Sequence, residues 1–318
     1  MEHTEYMAGI TEAAERLTSC LHSWQCPEFF FQFGNGFCLD GFFDEPPQEI
    51  ELRHLPGMPE HLTPDQMQPV FYYGSCNGVL TLVTSGHRHL YEGLGLYPCL
   101  LPLMTAWKLG IRRHVFIEDA ISLQPDIKSG CWTLLTDYIN GYHFSPLDGL
   151  QTILPEAFPD MGEALSQHQN SGFMNAFGEI GLSPRHCVFM SRPGSQFCTM
   201  AEAAYARHAG VDLIGHGLVM EIITSHALGC CVSAFALACG QVLDGAPPAL
   251  KRADILDTCR FSSSQFIRGV RASVHEMVPL DHVEPMTSHP IGNADELLTA
   301  DFRRLPPKPR PYKLIYKN

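Results

Sequence analysis

From residue 70 onward, short apolar runs alternate with stretches patterned as helices, and this rhythm restricts the fold more than any other feature of the chain. Residues 79–83 (VLTLV), 114–117, 131–136, 186–190, 211–215 and 230–239 read as strands. Residues 97–109, 199–209 and 220–228 read as helices, the first closed by Gly110 as a helix-ending residue. Strands that alternate with helices predict an α/β domain around a central, largely parallel sheet.

Upstream, apolar residues near helical spacing (Met7, Ile10, Ala13, Leu17, Leu21) predict a first helix. The run Phe29-Phe30-Phe31-Gln32-Phe33 reads as a strand ending in a tight Gly34-Asn35-Gly36 turn. Residues 44–69, rich in Pro, Glu and His, read as a long loop. The organisation expected is an N-terminal helix over 1–28, one domain over 29–276 and an irregular extension over 277–318.

Composition narrows the function. The 318 residues, 45% apolar, suffice for a sizeable core. A formal charge of −13 argues against nucleic acid or an anionic membrane surface as a partner. The basic cluster from Lys308 to Lys313 reads as a solvated tail. No apolar run is long enough to span a membrane, and the acidic N-terminus lacks the pattern of a secretory signal, which gives a cytoplasmic expectation. Twelve cysteines without a C-x-x-C pair are read as reduced thiols rather than a disulfide framework or a zinc site.

The segment richest in chemistry is His87-Arg88-His89-Leu90-Tyr91-Glu92-Gly93, directly after the 79–83 run. If the strand continues through it, His87 and His89 project from one face. Two imidazoles at a strand end can hold a metal or an anion, or move a proton.

This segment resembles the RxHxYEG motif of the trimeric purine nucleoside phosphorylases, with His87 in place of the arginine. Three further segments resemble the same family in the same order: Glu156-Ala157-Phe158-Pro159-Asp160-Met161, Phe197-Cys198-Thr199-Met200-Ala201-Glu202, and Ile214 through Glu221 (IGHGLVME). The resemblance spans about residues 29–276. It implies a three-layer α/β/α fold with a mixed central sheet, a homotrimer, and a pocket for a nucleoside-like small molecule at the strand ends. Within that pocket it implies Tyr91 at the ribose, Phe197 as a wall of the base site, and Phe158 lent by a neighbouring subunit. Cys198 stands where the family reads the base with a glutamate. Asn35, in the phosphate turn, and Glu221 complete the implied ligand contacts.

Phosphate chemistry is where the resemblance fails. Glu118 and Asp119 occupy the family's small-residue turn, so two carboxylates face the place of a dianion; such repulsion costs several kcal/mol at intermediate dielectric. His216-Gly217 replaces a methionine-serine pair, and Cys239-Gly240 replaces the polar pair at the leaving base. Three readings stay open. One is an ordinary phosphate-dependent enzyme. The second is an inactive member serving as a ligand-binding or partner subunit. The third is a refitted site in which His87, His89, Glu118, Asp119 and His216 converge. That site would cleave an N-glycosidic bond with water, with Glu118 or Asp119 as base beside His89, or hold a divalent metal through His87, His89 and either carboxylate.

Overall fold

The computed structural model describes residues 3–59, 69–150, 154, 156, 158–245 and 249–277. Expectations for residues 60–68 and for the C-terminal extension from 278 lie outside the described residues. In chain order the elements are α1 (His3–Cys20), β1 (Phe29–Phe33), β2 (Gln48–Glu51), β3 (Val70–Cys76), β4 (Val79–Ser85), α2 (Tyr97–Lys108), β5 (Arg113–Ser122) and β6 (Trp132–Asn140). Then come α3 (Gln167–Glu179), β7 (Arg185–Ser191), α4 (Met200–His208), β8 (Leu213–Gly215), α5 (Val219–Ala227), β9 (Cys231–Gln241) and α6 (Arg252–Met277).

Local chemistry accounts for several of these boundaries. Thr199 and Glu202 form a reciprocal capping box at the start of α4, each side chain accepting the other's backbone N–H. The turn after α2 contains Gly110 at φ +96°, a conformation that favours glycine. All five residues of β1 are buried because both faces of the strand are covered.

The sheet is mixed. β1 runs parallel to β4 and β5, whereas β3 pairs antiparallel with β2 and β4. Its far half closes on itself: β5 pairs with β8 and β9, β9 with β6, β6 with β7, and β7 with β8. The mixed sheet that the resemblance implies is therefore present, and the largely parallel one read from the strand–helix rhythm alone is corrected. Segment 44–69 is corrected too, because it contributes the edge strand β2.

Apolar packing covers both faces of the sheet. One cluster joins α1, α2 and α5 to Phe30, Phe116 and Ala120; the other joins α3, α4 and α6 to Phe31, Val115, Ile117 and Ile121. On β5, even-numbered residues thus face α2 and α5, and odd-numbered residues face α6, as strand alternation requires. β1 pairs with β5 only as far as Ile117, and β8 joins the same edge only at Ile121. Glu118, Asp119 and Ala120 lie in the gap between them, where two strands part.

Candidate active site

Four chain segments meet at that gap. Gly34 follows β1, His87 and His89 follow β4, Glu118 lies within β5, and His216-Gly217 follows β8. Strands that diverge in this way leave a crevice at their carboxyl ends, inside the sheet. The β4 strand stops at Ser85 and does not continue through the histidines. Even so, the two rings come together, with centroids 4.2 Å apart.

Glu118 is the hub. Its Oε2 lies 3.3 Å from Nε2 of His87 and 3.3 Å from Nε2 of His89, and its Oε1 accepts the Asp119 backbone N–H at 3.1 Å. Oε1 of Glu221 lies 3.5 Å from the same His87 nitrogen. All four side chains are buried. Two glycines make room for the hub: a Cβ on Gly34 would collide with the Glu118 carboxylate, and one on Gly217 would lie 2.6 Å from Oε2.

The histidine segment is held rigid from below. A short 3-10 turn, Leu90–Glu92, brings the Glu92 carboxylate back to accept the His89 backbone N–H at 2.7 Å. The same carboxylate accepts from Arg88 Nη1 at 3.1 Å, a buried charge pair. Tyr91 stacks on His89, centroids 4.8 Å apart, and meets His216 edge-on at 5.8 Å. His216 is fixed by its Nδ1 at 3.0 Å from the Arg192 carbonyl, and its own carbonyl accepts the Tyr142 hydroxyl at 2.7 Å.

Backbone strain falls at the same place. Leu218, between Gly217 and α5, has φ +76° and ψ −53°, and the Val219 N–H reaches the Gly217 carbonyl at 3.1 Å. This is the tight γ-turn rarely adopted by residues with a side chain; strain of this kind costs about 1–3 kcal/mol and concentrates at functional sites.

Burial and mutual contact set the protonation of the cluster. Burial, then the charge on His89, holds His87 well below its ordinary range. Burial also opposes charge on His89, but the Glu118 and Glu92 carboxylates outweigh it and raise His89 to about 10. Burial pushes Glu118 up against the pull of His89, and it raises Glu221 to about 7. Burial lowers His216, with the Arg192 carbonyl opposing. A cavity with room for about one water molecule adjoins His89, Glu221, His216, Tyr142, Cys99 and Met220.

Among the residues expected from the sequence, His87, His89 and Glu118 come together, and Glu221 joins them. Tyr91 and His216 flank them. Asp119 does not join, and its expected role as base or metal ligand is corrected: one position along the strand it faces α6, where Oδ1 pairs with Arg252 Nη1 at 3.0 Å. Cys198, buried, and Phe197, partly buried, belong to the apolar cluster on that opposite face. Asn35 is buried in the turn after β1, and Phe158 is 91% exposed, away from its own chain's cluster. Sequence reading quotes Arg88 and Glu92 within the histidine segment without giving either a role, and it does not single out Tyr142. The HxxE spacing from His89 to Glu92, which places a carboxylate beside a backbone N–H three residues back, is the signal that could have found Glu92.

A family model described as the phosphorylase superfamily matches residues 60–275, more than half of the sequence. The chain belongs to the phosphorylase superfamily. It is 26% identical over 254 residues to purine nucleoside phosphorylase 1 of Geobacillus stearothermophilus, covering 79% of this chain and 92% of that protein. It is 25% identical over 230 residues to the purine nucleoside phosphorylase of Bos taurus, covering 70% and 78%. The fold matches that of Schistosoma mansoni purine nucleoside phosphorylase solved with inosine, at a TM-score of 0.76 and 20% identity, over 86% of this chain and 98% of that one. A second match is schistosoma purine nucleoside phosphorylase solved with hypoxanthine, at a TM-score of 0.74.

Proposed function

We propose that this superfamily member takes a purine-nucleoside-like ligand and cleaves its N-glycosidic bond with water, free phosphate being displaced by the chain's own carboxylate. The observation that carries this reading is the seat of Glu118. Its carboxylate fills the space left by Gly34 and Gly217 and lies within 3.3 Å of both histidines. A dianion beside it would meet a like charge in a buried crevice. The small cavity adjoining His89 and Glu221 supports water as the nucleophile, with the Glu221 carboxylate set to accept its proton. Water's oxygen bonds to the sugar carbon, the carbon–nitrogen bond breaks, and the base leaves with a proton, yielding free sugar and free base. The relatives' names supply the ligand class.

The test is inosine incubated with the full chain in phosphate-free buffer. The expected products are hypoxanthine and ribose, at a rate that added phosphate does not raise. Phosphate-dependent release of hypoxanthine with ribose 1-phosphate would overturn the reading. A second reading, a ligand-binding subunit without turnover, is favoured by the tightness of the cavity; it predicts saturable inosine binding and no product under either condition. In both readings the assembly is a homotrimer in which Phe158 covers a neighbour's pocket. Its 91% exposure supports that contact, and sedimentation of a stable monomer at micromolar concentration would refute it.

A further inference from the structure

We propose that His87, His89 and Glu118 form a binding site for one divalent transition-metal ion of the zinc type, its open position facing the water-sized cavity beside Glu221. The donor atoms all lie within 4.8 Å of one another, and all three side chains are buried. Bonds of ~2.0–2.1 Å in tetrahedral geometry set ligand atoms roughly 3.3–3.4 Å apart. The spacings here are 3.3 Å from Glu118 Oε2 to each histidine Nε2, and 3.5 Å from His87 Nε2 to Glu221 Oε1. Two edges of the set therefore already have the length found in a coordination shell, and the third, between the histidines, lies within 4.8 Å.

His87 supplies a second, independent reason. The side chain is 2% exposed and has the Phe33 carbonyl as a backbone partner, whereas its Nε2, approached by Glu118 at 3.3 Å and Glu221 at 3.5 Å, completes no hydrogen bond with either. A buried polar edge left in this way is costly, and a metal bond to the nitrogen lone pair would use it. The surroundings also resemble the outer sphere of a metal centre. Oε1 of Glu92 lies 3.8 Å from Nδ1 of His89, on the ring edge away from Glu118, and the second oxygen of Glu118 is held by the Asp119 N–H. Carboxylates behind metal-binding imidazoles orient the ring and raise its basicity. With the His89 proton released as the ion binds, two imidazoles and a carboxylate suit zinc, iron or cobalt better than magnesium or calcium. Two buried carboxylates, Glu118 and Glu221, would also be balanced by one divalent charge.

The inference does not need the nucleoside reading, because metal binding is measured without substrate. The full chain, purified without chelator, is analysed for metal, then stripped and reloaded with Zn²⁺ or with Co²⁺ as a spectroscopic probe. One equivalent per chain, a rise in Tm and the intense visible bands of four-coordinate Co²⁺ are expected. Asp119→Asn should keep the full equivalent, whereas His87→Ala and Glu118→Ala should lose it. Wild type that takes up no stoichiometric ion, or that shows no four-coordinate Co²⁺ spectrum, would overturn the site. So would retention of a full equivalent by His87→Ala. The wild-type spectrum decides even if both variants fail to fold. Inosine cleavage by wild type that takes up no ion on reloading would leave the nucleoside reading standing while removing this one.

Discussion

Glu118 and Asp119 are neighbours on one strand with the same charged group, yet they have opposite surroundings. Glu118 points toward α2 and α5 into a buried cluster of two histidines and a second carboxylate. Asp119 points toward α6 and meets the guanidinium of Arg252 at a half-open site. The difference is one of strand face. It also decides chemistry: a carboxylate beside a permanent cation at the surface is settled, whereas one among imidazoles away from water is held only by groups that can change protonation or bind a metal.

The largest expected effect follows from cutting each carboxylate separately. Glu118→Gln leaves His89 buried without its charge partner, and breaking a buried pair from one side costs about 3 kcal/mol or more. Asp119→Asn breaks a partly exposed pair and should cost about 1 kcal/mol or less. Urea denaturation of the two variants measures the contrast. Equal losses would mean that Glu118 is not the hub.

Much of the framework behind this contrast is legible in the amino-acid sequence. The alternation of apolar runs locates β4, β5, β7 and β9, because buried strands in this fold are nearly continuous apolar stretches. It places the end of β5 too early, since Glu118 and Asp119 break the apolar pattern although the backbone remains extended to Ser122. Extending the strand by those residues would set the two carboxylates on opposite faces. Closure of β5 through β9, β6, β7 and β8 is invisible, because it rests on pairings distant in sequence. The long helix α6 escapes the reading, since its buried positions, such as Ile255, Phe266 and Val270, are scattered among charged and hydroxyl residues. Within the site, resemblance brings His87, His89 and Glu118 together. Arg88 and Glu92 are quoted in that segment but given no role, because charged side chains read as solvated until a buried partner is seen.

A smaller effect probes the space that sets Glu118 apart from Asp119. Gly34→Ala and Gly217→Ala each add a methyl group against the Glu118 carboxylate. Overpacking of this kind typically costs about 1–3 kcal/mol. Gly181→Ala is not a suitable control, because its φ of +75° strains any side chain; Gly178→Ala, with open space around its Cβ, is. If the carboxylate is fixed by both histidines, the two site variants should lower Tm, whereas Gly178→Ala should leave it unchanged or raise it. Tolerance of alanine at both site positions would indicate that Glu118 swings freely and has no fixed seat.

The smallest effect extends the contrast to the surface, at Arg192 and Glu202. Arg192 Nη2 pairs with the Glu202 carboxylate, which also accepts the Thr199 backbone N–H at 2.7 Å. The Arg192 guanidinium, then that backbone N–H, lowers Glu202 to about 2 from its ordinary 4.5. A carboxyl whose folded value is depressed contributes stability above pH 4.5, and that contribution disappears as pH falls from 4.5 toward 2. Because the Glu202 side chain is 43% exposed, solvent screening keeps the contribution below about 1 kcal/mol. Glu202→Gln should therefore destabilise the protein slightly at pH 7, and wild type and variant should converge near pH 2. A gap that stays constant across that range would mean the loss comes from the helix cap, which glutamine only partly preserves, and not from the charge pair.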